Sequence, residues 1–230
     1  MIFNSKITDG KRKFYHAVFI PILLSLLLII VFVLERGMQW DFHTAGIFPR
    51  KAAYLGGIFT MIFVHAGWEH LINNVVSLTL LTSCLYFFYK QIATKILLLS
   101  YFFSGLILWF IGRDSWHIGA SGLIYSIAFF LFFSGIIRKY VPLIAISLVI
   151  TFIYGSMIWY LLPLKIFDTI SWEGHLSGAF IGFVLSVIYK NQGPQKPLKQ
   201  WEEDDEENDD SYYLEEEIED EEKITKEISR

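Results

Sequence analysis

The chain has 230 residues, of which 54% are hydrophobic, and its mean hydropathy is +0.45. This is too apolar for a typical soluble domain, and the apolar residues stand in long runs rather than in a stripe with a 3.6-residue period. The formal net charge of −4 is unevenly divided, because residues 1–200 carry 16 basic and 7 acidic side chains (+9) whereas residues 201–230 carry 3 and 16 (−13). The single cysteine, Cys84, excludes an intramolecular disulfide framework and any multi-cysteine metal site.

Six apolar runs follow one another along residues 1–194 and predict an all-α, polytopic membrane bundle of six transmembrane helices. The first run, Ala17–Leu34, carries no charge. Its length of about 18 residues is close to what a ~30 Å hydrocarbon layer requires. The other five cover Leu71–Tyr89, Ile96–Gly112, Ser115–Ile137, Tyr140–Leu164 and, more briefly, His175–Tyr189. A long mixed segment, Glu35–Thr60, separates the first two runs and is expected to form a functional loop in the headgroup region.

The charges outside the runs predict orientation and domain limits. Ten basic residues lie near the span ends on one side and five on the other, so both termini are expected to face the cytoplasm. The sequence Asn191-Gln192-Gly193-Pro194 ends the membrane body. Residues 195–230 are predicted to form an acidic, disordered cytoplasmic tail, to which the sequence assigns no role.

Polar side chains cluster where three of the runs begin. These are His65, His70 and Asn74 at the second run, Ser121 at the fourth and His175 at the sixth. With the amino terminus inside, even-numbered spans all begin at the outer face, so the three groups fall at one membrane depth. Ser121 precedes Arg138 by 17 residues, or about 25 Å of helix, which is less than the ~30 Å core. Ser121 is therefore expected to lie below the outer surface, in a water-filled cavity.

Residue spacing within the runs predicts which side chains share a helical face. His70 and Asn74 are four residues apart, as are Ser121 and Tyr125. His175 lies on one stripe with Gly178 and Gly182, and such a small-residue stripe lets a neighbouring helix, here the fourth span, approach closely. Three other histidines, His16, His43 and His117, are interpreted as interfacial, because a lone histidine near a helix end usually is.

Taken together, these segments resemble the rhomboid intramembrane serine proteases. The matching segments read His65-x4-His70-x3-Asn74, then Gly119-x-Ser121-Gly122-x2-Tyr125, then His175-x2-Gly178-x3-Gly182. Each piece alone is a weak signal, but all three occur in order on the second, fourth and sixth runs. The resemblance covers residues ~15–190. One departure is visible, because the adjacent Trp-Arg pair that rhomboids often carry in the first outer loop is replaced here by separated Arg36 and Trp40.

The resemblance implies a role for each matching residue. Ser121 would be the nucleophile and His175 the general base of a dyad, with Tyr125 packing against the imidazole ring. The oxyanion site would consist of the Ser121 amide, His70 and Asn74, while His65, Gly119, Gly122, Gly178 and Gly182 would have supporting roles. Glu173 is a weak candidate for orienting His175, since it should point elsewhere on the helix. The fifth span and the loop Pro163–Trp172 would form a lateral gate for substrates.

The predicted function is that of a serine endopeptidase in the cell membrane, open to the outer face, which cleaves other membrane proteins in or next to their transmembrane segments. Its partners would be these substrates and the lipid bilayer, with no nucleic acid, no cofactor and no metal. Two alternatives stay open: a non-catalytic relative that binds and routes client proteins, and a transporter or channel, for which no deep charged residue provides an ion path. A zinc protease is disfavoured because H-E-x-x-H does not occur. The sequence does not indicate the substrate or the oligomeric state.

Overall fold

The computed structural model describes residues 2–162 and 171–197. These residues form helices and irregular connections, with one isolated bridge between Ile47 and His117. Two sequence predictions fall elsewhere: residues 163–170 of the predicted gate loop and residues 198–230 of the predicted tail lie outside the described residues.

Seven α-helices follow one another along the described chain. They are α1 (Ile2–Gly37), α2 (Gly57–Thr60), α3 (Trp68–Phe88), α4 (Ala93–Ile111), α5 (Ser121–Arg138), α6 (Val141–Tyr154) and α7 (Trp172–Ile188). Short 3-10 segments cover His43–Ala45, Ala52–Tyr54, Met61–Phe63 and Gly155–Leu161. The predicted apolar run Ser115–Ile137 becomes helical only at Ser121, since Gly119 (φ +98°) adopts a left-handed conformation that interrupts a helix.

Four of these helices are long and apolar enough to cross a membrane. They comprise Gly10–Gly37, Trp68–Phe88, Ala93–Ile111 and Ser121–Arg138. The apolar helices α6 and α7 are shorter, so the prediction of six spans and of two cytoplasmic termini stays a prediction. Large apolar side chains remain exposed on the outside of the bundle, such as Phe152 of α6 at 92%, as expected for a surface that faces lipid.

Helix α5 forms the centre of the bundle. In its most apolar stretch 67% of the residues are buried, against 28–33% in the other three long helices. Helices α3, α4, α6 and α7 all pack against it. Its contact with α7 is closest at two glycines, because a methyl group on Gly178 would collide with the Gly122 carbonyl and one on Gly182 with the Ser126 carbonyl. The backbones of α5 and α7 therefore touch directly, which brings the first turns of the two helices side by side.

Candidate active site

Ser121 is the first residue of α5, and the turn before it depends on glycine. The positive φ of Gly119 (+98°) is costly for residues with a Cβ. The Gly119 amide donates to the Met61 carbonyl at 2.8 Å. This bond fastens the turn to the 3-10 segment Met61–Phe63 of the first loop, which is the chain between α1 and α3. Since the first amides of a helix have no partner within the helix, the Ser121 amide is a suitable donor to a bound anion.

His175 lies in the first turns of α7, and two contacts fix its ring. The imidazole stacks on the Tyr125 ring, with centroids 4.2 Å apart and planes 8° from parallel. Its Nδ1 lies 3.1 Å from the Tyr160 carbonyl oxygen. A carbonyl oxygen only accepts, so Nδ1 carries the hydrogen and donates it. In the neutral ring Nε2 is then the nitrogen with the free lone pair, which is the one able to accept a proton.

His70 and Asn74 lie against the turn that precedes Ser121. A methyl group added to Gly119 would be 2.6 Å from His70 Nε2 and 3.7 Å from Asn74 Nδ2, so both side chains border this glycine. The Asn74 amide group donates one hydrogen to the His70 carbonyl at 2.8 Å, which leaves its second N–H hydrogen for another acceptor. The two side chains and the Ser121 amide thus surround one small region.

His65 lies beside His70 in the segment just before α3. The two rings meet edge to face, with centroids 5.0 Å apart. Burial, and secondly the neighbouring His70, lower the pKa of His65 to about 4, so this ring is neutral near pH 7. The ring nitrogens of His65 make no hydrogen bond of good geometry within the described residues. The Phe63 backbone nevertheless lies close enough to oppose part of this lowering of the pKa.

A single cavity of about 1200 Å³ unites most of these residues. Its lining includes Ser121, His175, His70, Asn74, Tyr125 and His65. Five charged side chains also line it: Glu35, Arg36, Asp41, Glu69 and Arg113. Charged groups of both signs in an otherwise apolar bundle indicate a water-filled space. Gly178 and Gly182 lie away from this cavity, on the packing face between α5 and α7.

The carboxylate of Glu173 is held by Arg113. Glu173 is buried, and its Oε1 accepts from the Arg113 amide at 3.2 Å and lies 3.6 Å from Arg113 Nε. Its carboxylate therefore pairs with the loop before α5, while the Tyr160 carbonyl occupies the orienting position on the His175 ring. No group of side chains suited to holding a metal ion occurs in the part of the chain that the structure describes.

The interpretation of His117 as interfacial is wrong. Its exposed fraction is only 2%, its Nδ1 lies 2.6 Å from Ser171 Oγ, and its Nε2 lies 3.1 Å from the Arg113 carbonyl oxygen. Its burial has no cue in the sequence, where His117 is a lone histidine near the start of the predicted run Ser115–Ile137. Burial arises here from tertiary contacts with the first loop and with α7.

The first loop is held by arginines whose partners are remote in sequence. Arg36 donates to the Ala66 carbonyl at 2.8 Å, next to the segment that leads into α3. Arg50 donates to the Gly112 carbonyl at 2.5 Å and pairs with Asp114, which ties the loop to the connection between α4 and α5. Arg50 therefore fixes this loop, a role that its position in the sequence does not indicate.

Comparison with known proteins gives one family and several relatives. The model of the rhomboid domain matches residues 52–192. An uncharacterized protein of Mycobacterium tuberculosis and one of Mycobacterium bovis are each 34% identical over 151 residues, which is 62% of this chain and 62% of theirs. An uncharacterized protein of Mycobacterium leprae is 29% identical over 170 residues, or 70% of this chain and 67% of its own. The match thus spans just under two thirds of the length of the first two relatives.

Proposed function

Because this chain belongs to the rhomboid family of intramembrane proteases, we propose that it is a serine endopeptidase that hydrolyses peptide bonds in or next to transmembrane segments of other membrane proteins. It would act in the cell membrane, with its cavity open to the non-cytoplasmic face. The observation that carries the proposal is the shared cavity: Ser121 and His175 both line it, and the Nδ1 bond of His175 leaves Nε2 as the base.

The reaction would begin at the Ser121 hydroxyl. Oγ attacks the carbonyl carbon of the scissile peptide while its proton passes to His175 Nε2. The imidazolium that forms is stabilised by its Nδ1–H bond to the Tyr160 carbonyl, since a hydrogen bond from a charged donor is stronger than one from a neutral donor. No carboxylate is needed for this orientation, and the pair works as a dyad.

The tetrahedral intermediate places a negative charge on the former carbonyl oxygen. The donors proposed for it are the Ser121 amide, the His70 ring and the free N–H of Asn74, which surround the Gly119 turn. Collapse of the intermediate breaks the carbon–nitrogen bond, and His175 gives its proton to the leaving amine. Water from the cavity then attacks the acyl-enzyme with the same base, which restores Ser121 and releases the new carboxylate.

The supporting residues act through geometry. Gly119 permits the left-handed turn, while Gly122, Gly178 and Gly182 permit the close approach of α5 and α7. Tyr125 holds the plane of the imidazole by stacking. Substrate entry is proposed to occur beside α6, whose outer end continues as the 3-10 segment Gly155–Leu161.

The test is cleavage of a single-span membrane protein by the purified enzyme in lipid vesicles. Ser121→Ala and His175→Ala should each reduce cleavage to background. Two matched controls, Ser83→Ala on α3 and His16→Ala on the exposed face of α1, should cleave at the rate of the unaltered protein. Cleavage by the Ser121→Ala protein at the unaltered rate would contradict the proposal.

A further inference from the structure

The loop between α4 and α5, residues 112–120, carries a buried histidine whose side chain forms hydrogen bonds both within the loop and to the start of α7. His117 Nε2 lies 3.1 Å from the Arg113 carbonyl oxygen and 3.4 Å from Ser115 Oγ, and Nδ1 lies 2.6 Å from Ser171 Oγ. Neither Arg113 nor Ser171 belongs to the proposed chemistry. We call the side-chain hydrogen bonds of His117 to Arg113 and Ser171 the His117 bridge.

The hydrogen positions along the bridge follow from the partners. The Arg113 carbonyl can only accept, so Nε2 carries the ring hydrogen and Nδ1 is the acceptor for the Ser171 hydroxyl. Burial, more than any charge nearby, lowers the pKa of His117, which keeps the ring neutral and this arrangement intact near pH 7. The Ser171 oxygen in turn accepts from the Gly174 amide at 3.3 Å. One directed chain of hydrogen bonds therefore runs from Gly174 through Ser171 to His117.

Ser171 is the N-cap of α7, the residue just before its first residue, Trp172. Its side chain caps the Gly174 amide, and its carbonyl accepts from the His175 amide at 3.2 Å. The free amides of a helix end need such a cap, without which the first turn frays. The glycine contacts with α5 at Gly178 and Gly182 fix the helix axis further along, and the Ser171 cap adds a constraint on the first turn, which carries His175.

The other end of the bridge is fixed relative to Ser121. His117 and Ile47 exchange two backbone hydrogen bonds, both of 2.9 Å. Two residues later the Gly119 amide is held by Met61, and two residues after that α5 begins at Ser121. The backbone from His117 to Ser121 is thus anchored on the first loop. The side chain of His117 connects this backbone to Ser171, the cap of α7.

We propose that His117 is a positioning residue that, through Ser171, sets the separation and orientation of His175 relative to Ser121. This inference rests on the proposed function, because the separation matters only if the two residues react together. A misplacement of about 1 Å between reacting groups costs on the order of 100-fold in rate. Loss of the bridge should therefore lower the rate of the chemical step and leave substrate binding nearly unchanged.

The experiment compares kcat and KM for cleavage in lipid vesicles across a small set of variants. His117→Ala and Ser171→Ala should each lower kcat about 10- to 100-fold with KM nearly constant. His117→Asn should recover most of the loss, since its amide oxygen takes the place of Nδ1 as acceptor. Because both residues act through one bond, the double variant should lose no more than the worse single variant. Ser100→Ala, which removes a buried hydrogen bond to Ser126 (2.8 Å) between α4 and α5, is the control and should keep its kcat.

The outcomes distinguish a failure of the positioning role from a failure of the proposed function. If Ser121→Ala is inactive while His117→Ala and Ser171→Ala keep the unaltered kcat, the positioning role is wrong and the proposed function stands. Independent losses that multiply in the double variant would also overturn it. If Ser121→Ala itself cleaves normally, the proposed function fails and the positioning role fails with it. If His117→Ala does not fold, His117→Asn and Ser171→Ala test the positioning role. A low kcat for Ser171→Ala with a nearly unaltered kcat for His117→Asn supports it, and an unaltered kcat for Ser171→Ala overturns it.

Discussion

The contact between α5 and α7 can be perturbed by one methyl group. An added Cβ at Gly178 would lie 2.0 Å from the Gly122 carbonyl oxygen and 3.1 Å from Tyr125 Cβ, whereas real Cβ atoms essentially never come closer than 3.0 Å to another atom. The obstacle is backbone, so it cannot rotate away. Gly178→Ala must therefore move α7 outward by about 1 Å, the difference between 3.0 and 2.0 Å.

That displacement has two expected consequences. Overpacking of this kind costs about 1–3 kcal/mol of stability, which lowers the thermal unfolding midpoint. Moving His175 by about 1 Å relative to Ser121 should reduce kcat on the order of 100-fold.

The assay is cleavage of a membrane substrate in vesicles, with thermal unfolding measured on the same samples. Gly37→Ala is the control, because an added Cβ there has no atom within 4 Å. A Gly178→Ala protein that folds and cleaves as fast as the control would refute the claim that this contact sets the site.

Three further predictions concern individual side chains. Asn74→Ala should lower kcat by about 10²- to 10³-fold through loss of an oxyanion donor. Asn73→Ala, at the neighbouring residue on α3, is the control and should keep its kcat; equal rates for the two variants would remove Asn74 from the oxyanion site. Tyr125→Ala should lower kcat more than Tyr125→Phe, since the phenyl ring retains the stacking on His175, and equal losses would show that stacking is unimportant. His65 is the pH-sensitive case: burial and then His70 lower its pKa to about 4, so between about pH 6.5 and 4 the unfolded chain binds a proton that the folded chain does not. The thermal unfolding midpoint should fall as pH falls through this window, and the midpoint of His65→Gln should fall less steeply. Parallel curves of midpoint against pH for the two proteins would contradict the lowered pKa of His65.

The sequence predicted the parts of the site that depend on periodicity within one helix. Ser121 and Tyr125 on one face, His70 and Asn74 on another, and the small-residue stripe from His175 all follow from 3.6 residues per turn. Hydrophobic length limits where a span can begin and also predicts one membrane depth for these residues, which stays a prediction. These are local properties, and they can be read from a single chain.

The contacts that sequence reasoning missed are those made by backbone atoms or by loops. The Tyr160 carbonyl has no signature in a sequence, because every residue carries one, yet it decides which nitrogen of His175 is basic. His117 was interpreted as interfacial because it is a lone histidine near a helix end, whereas its burial comes from contacts with Ile47 and Ser171, 70 and 54 positions away. Arg50 likewise finds its acceptors across the loop, at Gly112.

Site-resolved labelling with a fluorophosphonate tests whether Ser121 is a nucleophile activated by His175. The vesicle-embedded protein is treated with the reagent and digested, and the adduct is located by mass spectrometry. One adduct is expected, on the Oγ of Ser121, absent from Ser121→Ala and formed far more slowly in His175→Ala. An adduct on another residue, or unchanged labelling of the Ser121→Ala protein, would show that Ser121 is not the nucleophile.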